Sequence, residues 1–95
     1  LYPKITRRIN LVLDISDSVG PILKLIVKKG GSILIDKYPV EIFEDKESLG
    51  ENKKSVTFEM VFQGSEKTLE DKDVNPIIDE IIDIADKKFN AKLRV

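Results

Sequence analysis

Ser55-Val56-Thr57-Phe58-Glu59-Met60-Val61-Phe62 places Val56, Phe58, Met60 and Phe62 on one side of an extended chain and Ser55, Thr57, Glu59 and Val61 on the other. Strict alternation of this kind is the pattern of a strand with one face buried and one free. Downstream, Asp71 to Lys88 carries Val74, Ile77, Ile78, Ile81, Ile82 and Ala85 at helical spacing, with acids crowded at the start where the macrodipole favours them. Pro76 leaves two beginnings open for this helix: an irregular first turn, or a start at Pro76 capped by Asn75. Asn90 to Arg94 then reads as a short last strand, with Ala91 and Leu93 inward and Lys92 and Arg94 outward.

Upstream, Glu44 to Lys54 is charged and contains Gly50, as a surface loop does. Ser32 to Phe43 reads as a long strand interrupted at Pro39, whose missing N–H demands an edge, a bulge or a kink. Beyond the break, Val40 and Ile42 point one way and Glu41 and Phe43 the other. Gly20 and Pro21 open an apolar run, Ile22, Leu23, Leu25, Ile26 and Val27, which closes on Lys28, Lys29 and Gly30; this is the order of a short helix with a basic last turn and a glycine stop. Arg8 to Ile15 alternates again, with Ile9, Leu11, Leu13 and Ile15 on one side.

The order is therefore β-α-β-β-α-β, an α+β, ferredoxin-like sandwich in which two helices cover one face of a four-stranded antiparallel sheet and leave the other bare. Right-handed crossovers put the first and third strands at the centre. A chain of 95 residues fits one small domain, residues 1–95, with a single core. It starts at Leu1 and its sole methionine is Met60, which suggests a segment of a longer chain.

With no cysteine and no histidine, disulfides, thiolate zinc sites, Cys or His nucleophiles and histidine acid–base chemistry are excluded. No apolar run approaches the ~20 residues of a membrane span and Leu1 to Asn10 has no signal-peptide pattern, so a cytoplasmic protein with no membrane partner is expected. The net charge of −1, from 16 Lys+Arg and 17 Asp+Glu, argues against a generic polyanion binder. It is unevenly spread, however: residues 1–37 hold seven basic and three acidic side chains, a balance of +4, leaving −5 for the remainder.

Fold alone does not name a function, because this architecture carries RNA-binding, metal-binding, small-molecule and enzymatic sites. Four stretches narrow it. Pro3-Lys4-Ile5-Thr6-Arg7-Arg8 resembles the Pro-x-x-x-Arg-Arg opening of the ferredoxin-fold anticodon-binding domain that ends the phenylalanyl-tRNA synthetase β subunit. Asn52-Lys53-Lys54-Ser55-Val56 is similar to that family's Gly-Lys-Lys-Ser-Leu before strand three, and Lys67-Thr68-Leu69-Glu70-Asp71-Lys72-Asp73-Val74 to its Arg-Thr-Leu-Thr-Asp-x-Glu-Val before the second helix. Phe89-Asn90-Ala91-Lys92-Leu93-Arg94 is similar to its Phe-x-Ala-x-Leu-Arg. No single motif is specific; four in order along nearly the whole chain are.

There are departures. Val40-Glu41-Ile42-Phe43 stands where the family has Phe-Asp-x-Tyr, which lengthens the carboxylate and removes a hydroxyl. By strand register Asn10 takes the place of the acid that follows the arginine pair, so an arginine role is safer for Arg8 than for Arg7. Asn52 replaces a glycine, and asparagine is the next-best tenant of a left-handed turn.

What the resemblance implies is a non-catalytic module that holds the anticodon stem-loop of tRNA(Phe). Phe43 would stack an unpaired base, worth about 1–3 kcal/mol in single-strand sites. Glu41 would accept from the adjacent N1–H and N2–H₂ donors of guanine, with Ser55 and Asn10 adding hydrogen bonds. Arg8, Lys53, Lys54 and Arg94 would contact phosphates. The implied partners are the rest of the β subunit and the α subunit of an α2β2 ligase, whose ATP and magnesium lie outside this chain; no cofactor is expected within it.

Plain structural readings stand beside these: Phe43 capping the core edge, Glu41 paired with a cross-strand cation, Lys53 and Lys54 as solvated loop charges, and Arg94 as a mobile terminus. Lys28 and Lys29 are read as a helix C-terminal charge complement and not as RNA contacts. A small-molecule regulatory domain or a protein-interaction domain of the same topology is the alternative function.

Overall fold

A computed structural model describes residues 2–94. Its elements are β1 (Lys4–Asp14), α1 (Gly20–Gly30), a 3-10 turn (Gly31–Ile33), β2 (Leu34–Phe43), α2 (Lys46–Leu49), β3 (Lys53–Gln63), α3 (Asp71–Phe89) and β4 (Lys92–Leu93). The sheet order is β2-β3-β1-β4 with every pair antiparallel. The expected sandwich is present, with the first and third strands at the centre.

Alternation decides what the sheet buries. Ile9, Leu11 and Leu13 of β1 and Val56, Phe58, Met60 and Phe62 of β3 meet Ile22, Leu25 and Ile26 of α1 and Val74, Ile81 and Ala85 of α3 in one core. The opposite side of β1 and β3 carries Thr6, Arg8, Asn10, Thr57 and Glu59, in register as Arg8 with Glu59 and Asn10 with Thr57. β1 begins at Lys4, four residues earlier than the sequence pattern suggests, because Lys4 to Arg7 pair with Gln63 back to Met60.

The first helix begins on Pro21 in its opening turn and ends at Gly31, whose N–H still reaches the Val27 carbonyl and whose φ of 62° turns the chain out of the helix. Lys28 and Lys29 occupy the last turn as expected, and Lys29 also reaches Glu80 of α3 at 2.8 Å, joining the two helices.

The second long helix covers the Asp71 to Lys88 span read from the sequence to within one residue, and it resolves the two beginnings left open at Pro76. Neither an irregular first turn nor a start at Pro76 is found: α3 is continuous from Asp71, with Pro76 inside it. Its start is fixed by a capping box in which the Glu70 carboxylate accepts from the Asp73 N–H and the Asp73 carboxylate accepts from the Glu70 N–H at 2.9 Å. Pro76 cannot donate to the Lys72 carbonyl, yet both residues are exposed, so water can take that carbonyl.

Three smaller corrections follow the same logic. The loop after β2 contains the one-turn helix α2, capped by the Asp45 side chain accepting from the Glu47 N–H at 3.0 Å. The last strand is only Lys92–Leu93, and Leu93, expected inward, is exposed because it sits on the sheet edge; Ala91 is fully buried as expected. Ile15, expected on the buried side of the first strand, is exposed just past the end of β1. Asn52 does adopt the left-handed conformation, with φ of 60°.

Candidate nucleic-acid interface

β2 would by simple alternation place Tyr38, Val40 and Ile42 on one face. It does not, because β2 bulges between Pro39 and Glu41, with Pro39 opposite Phe58 and Glu41 opposite Thr57. A proline on an edge strand gives up no ladder hydrogen bond and tolerates such an irregularity. The additional residue, Val40, resets the parity, so Tyr38, Glu41 and Phe43 all share the bare face with Glu59, Thr57 and Ser55 of β3.

Most of the residues singled out in the sequence meet here. Phe43 lies opposite Ser55 and remains 38% exposed, and the Arg94 guanidinium sits 5.2 Å from its ring centroid, a cation–π contact. Arg94 is therefore placed over the face, and its backbone N–H donates to the Asn10 carbonyl at 2.9 Å. Glu41 is exposed and, among the described residues, has no ion pair or hydrogen bond through its carboxylate, unlike the cross-strand pairing its structural reading required. The Thr57 hydroxyl donates to Asn10 Oδ1 at 2.6 Å, which leaves the Asn10 amide N–H₂ pointing its donors elsewhere.

Others are engaged or turned away. Lys53 Nζ pairs with Asp14 across the sheet at 2.5 Å. Lys54, one residue from Ser55, belongs to the helix-covered side, and its ammonium donates to the Asp17 and Ile15 carbonyls at 2.5 and 3.2 Å, tying β3 to the β1–α1 loop. The structure does not bring Lys54 to the face. Ser55 is on the face but only 4% exposed, between Val12 and Phe43 in register, so a ligand reaches its hydroxyl only after neighbours swing aside. Arg7 points to the helix side and pairs with Asp71 at 2.5 Å, whereas Arg8 lies on the bare face.

The sequence reading missed one cluster. Tyr38, Glu59 and Arg8 form a row across three strands: the Tyr38 hydroxyl donates to Glu59 Oε2, and Arg8 Nε donates to Glu59 Oε1 at 2.7 Å. These donors, Tyr38 first and then Arg8, hold the Glu59 carboxyl below its ordinary value of 4.5, and the same bond to Glu59 raises the Tyr38 phenol. The signal was present in part, since Glu59 was read on the free side; Tyr38 was hidden because its face depends on the bulge.

Asp73 is likewise held below its ordinary 3.8, first by the Glu70 N–H and then by Lys67. Folded carboxyls with depressed values stabilise the domain above the ordinary carboxylate range, and that contribution drains away as the pH falls through the folded values. The thermal midpoint should therefore drop as the pH falls below about 4.5, more steeply in the wild type than in a Glu59→Gln, Asp73→Asn double variant. Parallel profiles for the two proteins would show that neither carboxyl couples to folding.

What this arrangement defines is a ferredoxin-like binding domain whose aromatic and polar groups are spread across an open sheet. The particular family follows from comparison with known proteins. The chain belongs to the ferredoxin-fold anticodon-binding domain family, whose family model matches residues 1–94. Relatives include phenylalanine–tRNA ligase β subunits from Listeria monocytogenes strain EGD-e, 38% identical over 98% of this chain and 12% of the relative. That of Prochlorococcus marinus strain MIT 9312 is 40% identical over 99% of the chain and 11% of the relative. That of Coxiella burnetii is 37% identical over 98% and 12%. The chain thus spans about an eighth of the length of the relatives it matches. As such a domain it is non-catalytic. Among the described residues, no helix is long and apolar enough to cross a membrane.

Proposed function

We propose that this domain belongs to a phenylalanine–tRNA ligase β subunit and holds the anticodon stem-loop of tRNA(Phe) on the bare sheet face. The observation that carries the reading is the exposed Phe43 ring two residues from an unengaged Glu41 carboxylate on that face, in a chain of the anticodon-binding family. Phe43 stacks the first anticodon base, guanine, and Glu41 accepts from its Watson–Crick edge. Asn10 and Ser55 add hydrogen bonds, and Arg8, Arg94 and, by release from Asp14, Lys53 meet phosphates. A phosphate role for Lys54 requires it to leave the two carbonyls it now holds.

The parent is a cytoplasmic α2β2 enzyme that activates phenylalanine with ATP and magnesium elsewhere, and this domain positions the RNA. Its net charge of −1 makes it a weak binder by itself, with a shallow salt dependence because few cations face the ligand.

The test is a titration of the isotope-labelled chain with a phenylalanine anticodon stem-loop, followed by NMR. Amide shifts at Arg8, Glu41 and Phe43 are expected. They should weaken when the first anticodon base is no longer guanine, and Phe43→Ala should lower affinity by about five- to a hundredfold, the value of one base–aromatic stack. Saturable binding with no response at these three residues would refute this use of the face.

A further inference from the structure

The bare face carries a second aromatic ring that the anticodon site described above does not use. Tyr38 is 39% exposed, so its ring is accessible, yet its hydroxyl is tied across to Glu59 on the neighbouring strand. Glu59 is itself 8% exposed and is held from the other side by Arg8. A ring fixed at both ends has already lost the rotamer freedom that binding would otherwise cost. Arg8 balances the Glu59 charge, so the carboxylate beneath does not repel a polyanion. The Arg8 side chain is 62% exposed and engages Glu59 through Nε, leaving its terminal nitrogens with no partner among the described residues.

The distance between the two rings limits what they can hold. Their partners on β3 are Glu59 and Ser55, four residues apart, hence roughly 13 Å along the strand at about 3.3 Å per residue. Stacked neighbours along one nucleic-acid strand are only about 3.4 Å apart. Bases on the two rings cannot be stacked on each other; they must come from a splayed strand, the form in which single-stranded loops are read.

We infer that Tyr38 is a second base-stacking platform, so that one RNA strand crosses the sheet with one unstacked base on Phe43, another on Tyr38, and the phosphate beside the latter on Arg8. The inference rests on the reading of this face as the RNA surface. A purely structural cross-strand network would serve as well with Tyr38 buried; here the acceptor, Glu59, is sheltered while Tyr38 is exposed. The nucleotides on Tyr38 and Phe43 are splayed apart and unstacked from each other. Stacking tolerates any base, so Tyr38 adds affinity and sets the strand's path, while discrimination stays with Glu41.

The experiment is an abasic scan: stem-loops each lacking one base of the loop are titrated into the wild-type chain, Tyr38→Leu, Tyr38→Phe and Phe43→Ala. In the wild type, removal of the first anticodon base and of one further base should each weaken binding about five- to a hundredfold. Tyr38→Leu should lose sensitivity at the further position and keep it at the first; Phe43→Ala should do the reverse. Tyr38→Phe keeps the ring without the hydroxyl and should retain sensitivity at both, which separates stacking from support of the sheet. If Tyr38→Leu gives a profile parallel to the wild type at every position, the second platform is overturned and the Phe43 site stands. If the wild type is indifferent to every loop base, both the platform and the anticodon reading fall.

Discussion

Replacing Phe58 by alanine is expected to remove about 3–5 kcal/mol of stability, the usual cost of truncating a fully buried aromatic side chain. Phe58 is fully buried at the middle of the central strand β3, beside Ile9 of β1 in the core shared by the sheet and both long helices. The whole domain has roughly 5–15 kcal/mol to lose, and at about 4–8 °C per kcal/mol the thermal midpoint should fall by tens of degrees. Urea or thermal unfolding of the variant measures this directly. A loss below about 1 kcal/mol would mean that the sheet and helices re-pack freely, and that the core does not hold the bare face in its present geometry.

The second large effect is expected at Gly64. A Cβ added there would lie 1.9 Å from the Lys67 carbonyl oxygen, a backbone atom, so the turn itself must move by more than an ångström. That turn carries Lys67, whose ammonium reaches Asp73 of the capping box, and leads into Leu69, which is buried in the core. Gly64→Ala should therefore cost about 3 kcal/mol or more, at or beyond the upper end of ordinary overpacking. Gly31→Ala is the control: nothing lies within 4 Å of the added carbon, so only the backbone strain of φ 62°, ψ −149°, a region essentially reserved for glycine, applies, at about 1–3 kcal/mol. Equal losses in chemical denaturation would show that the β3–α3 turn yields, and that α3 is not anchored through it.

The parts of this fold that could be read from the chain are those where one physical period dominates. Strands one and three alternate because one face packs on helices, and the helices repeat Ile and Val at their own period; all four were recognisable with the correct neighbours. What could not be read were the places where a local exception overrides the period. Pro76 left the start of the second helix open between Asp71 and itself; the Glu70–Asp73 capping box begins α3 at Asp71 and outweighs one missing hydrogen bond on an exposed surface. Leu93 looks inward by alternation but sits on a two-residue edge strand with little to pack against.

The candidate site divides in the same way. Arg8, Asn10, Glu41, Phe43 and Ser55 were placed on the free face from alternation, and Arg94 was found there too. Lys53 and Lys54 were grouped by their adjacency in sequence, whereas adjacent residues of a strand face opposite ways, and Lys54 follows the core side. Tyr38 escaped notice because its side depends on how β2 is counted through Pro39.

That count has a further consequence for how such a domain can change over generations. The two halves of β2 are in opposite phase, joined by one surplus residue at Val40. Point replacement within the strand alters one contact at a time and leaves the phase alone. Loss of that single residue would remove the bulge and, by plain alternation through Pro39, leave Tyr38, Glu41 and Phe43 together on the bare face. The ligand face therefore tolerates a difference of one residue between Pro39 and Glu41, and homologues that pair there with or without a bulge can present the same side chains on the same surface.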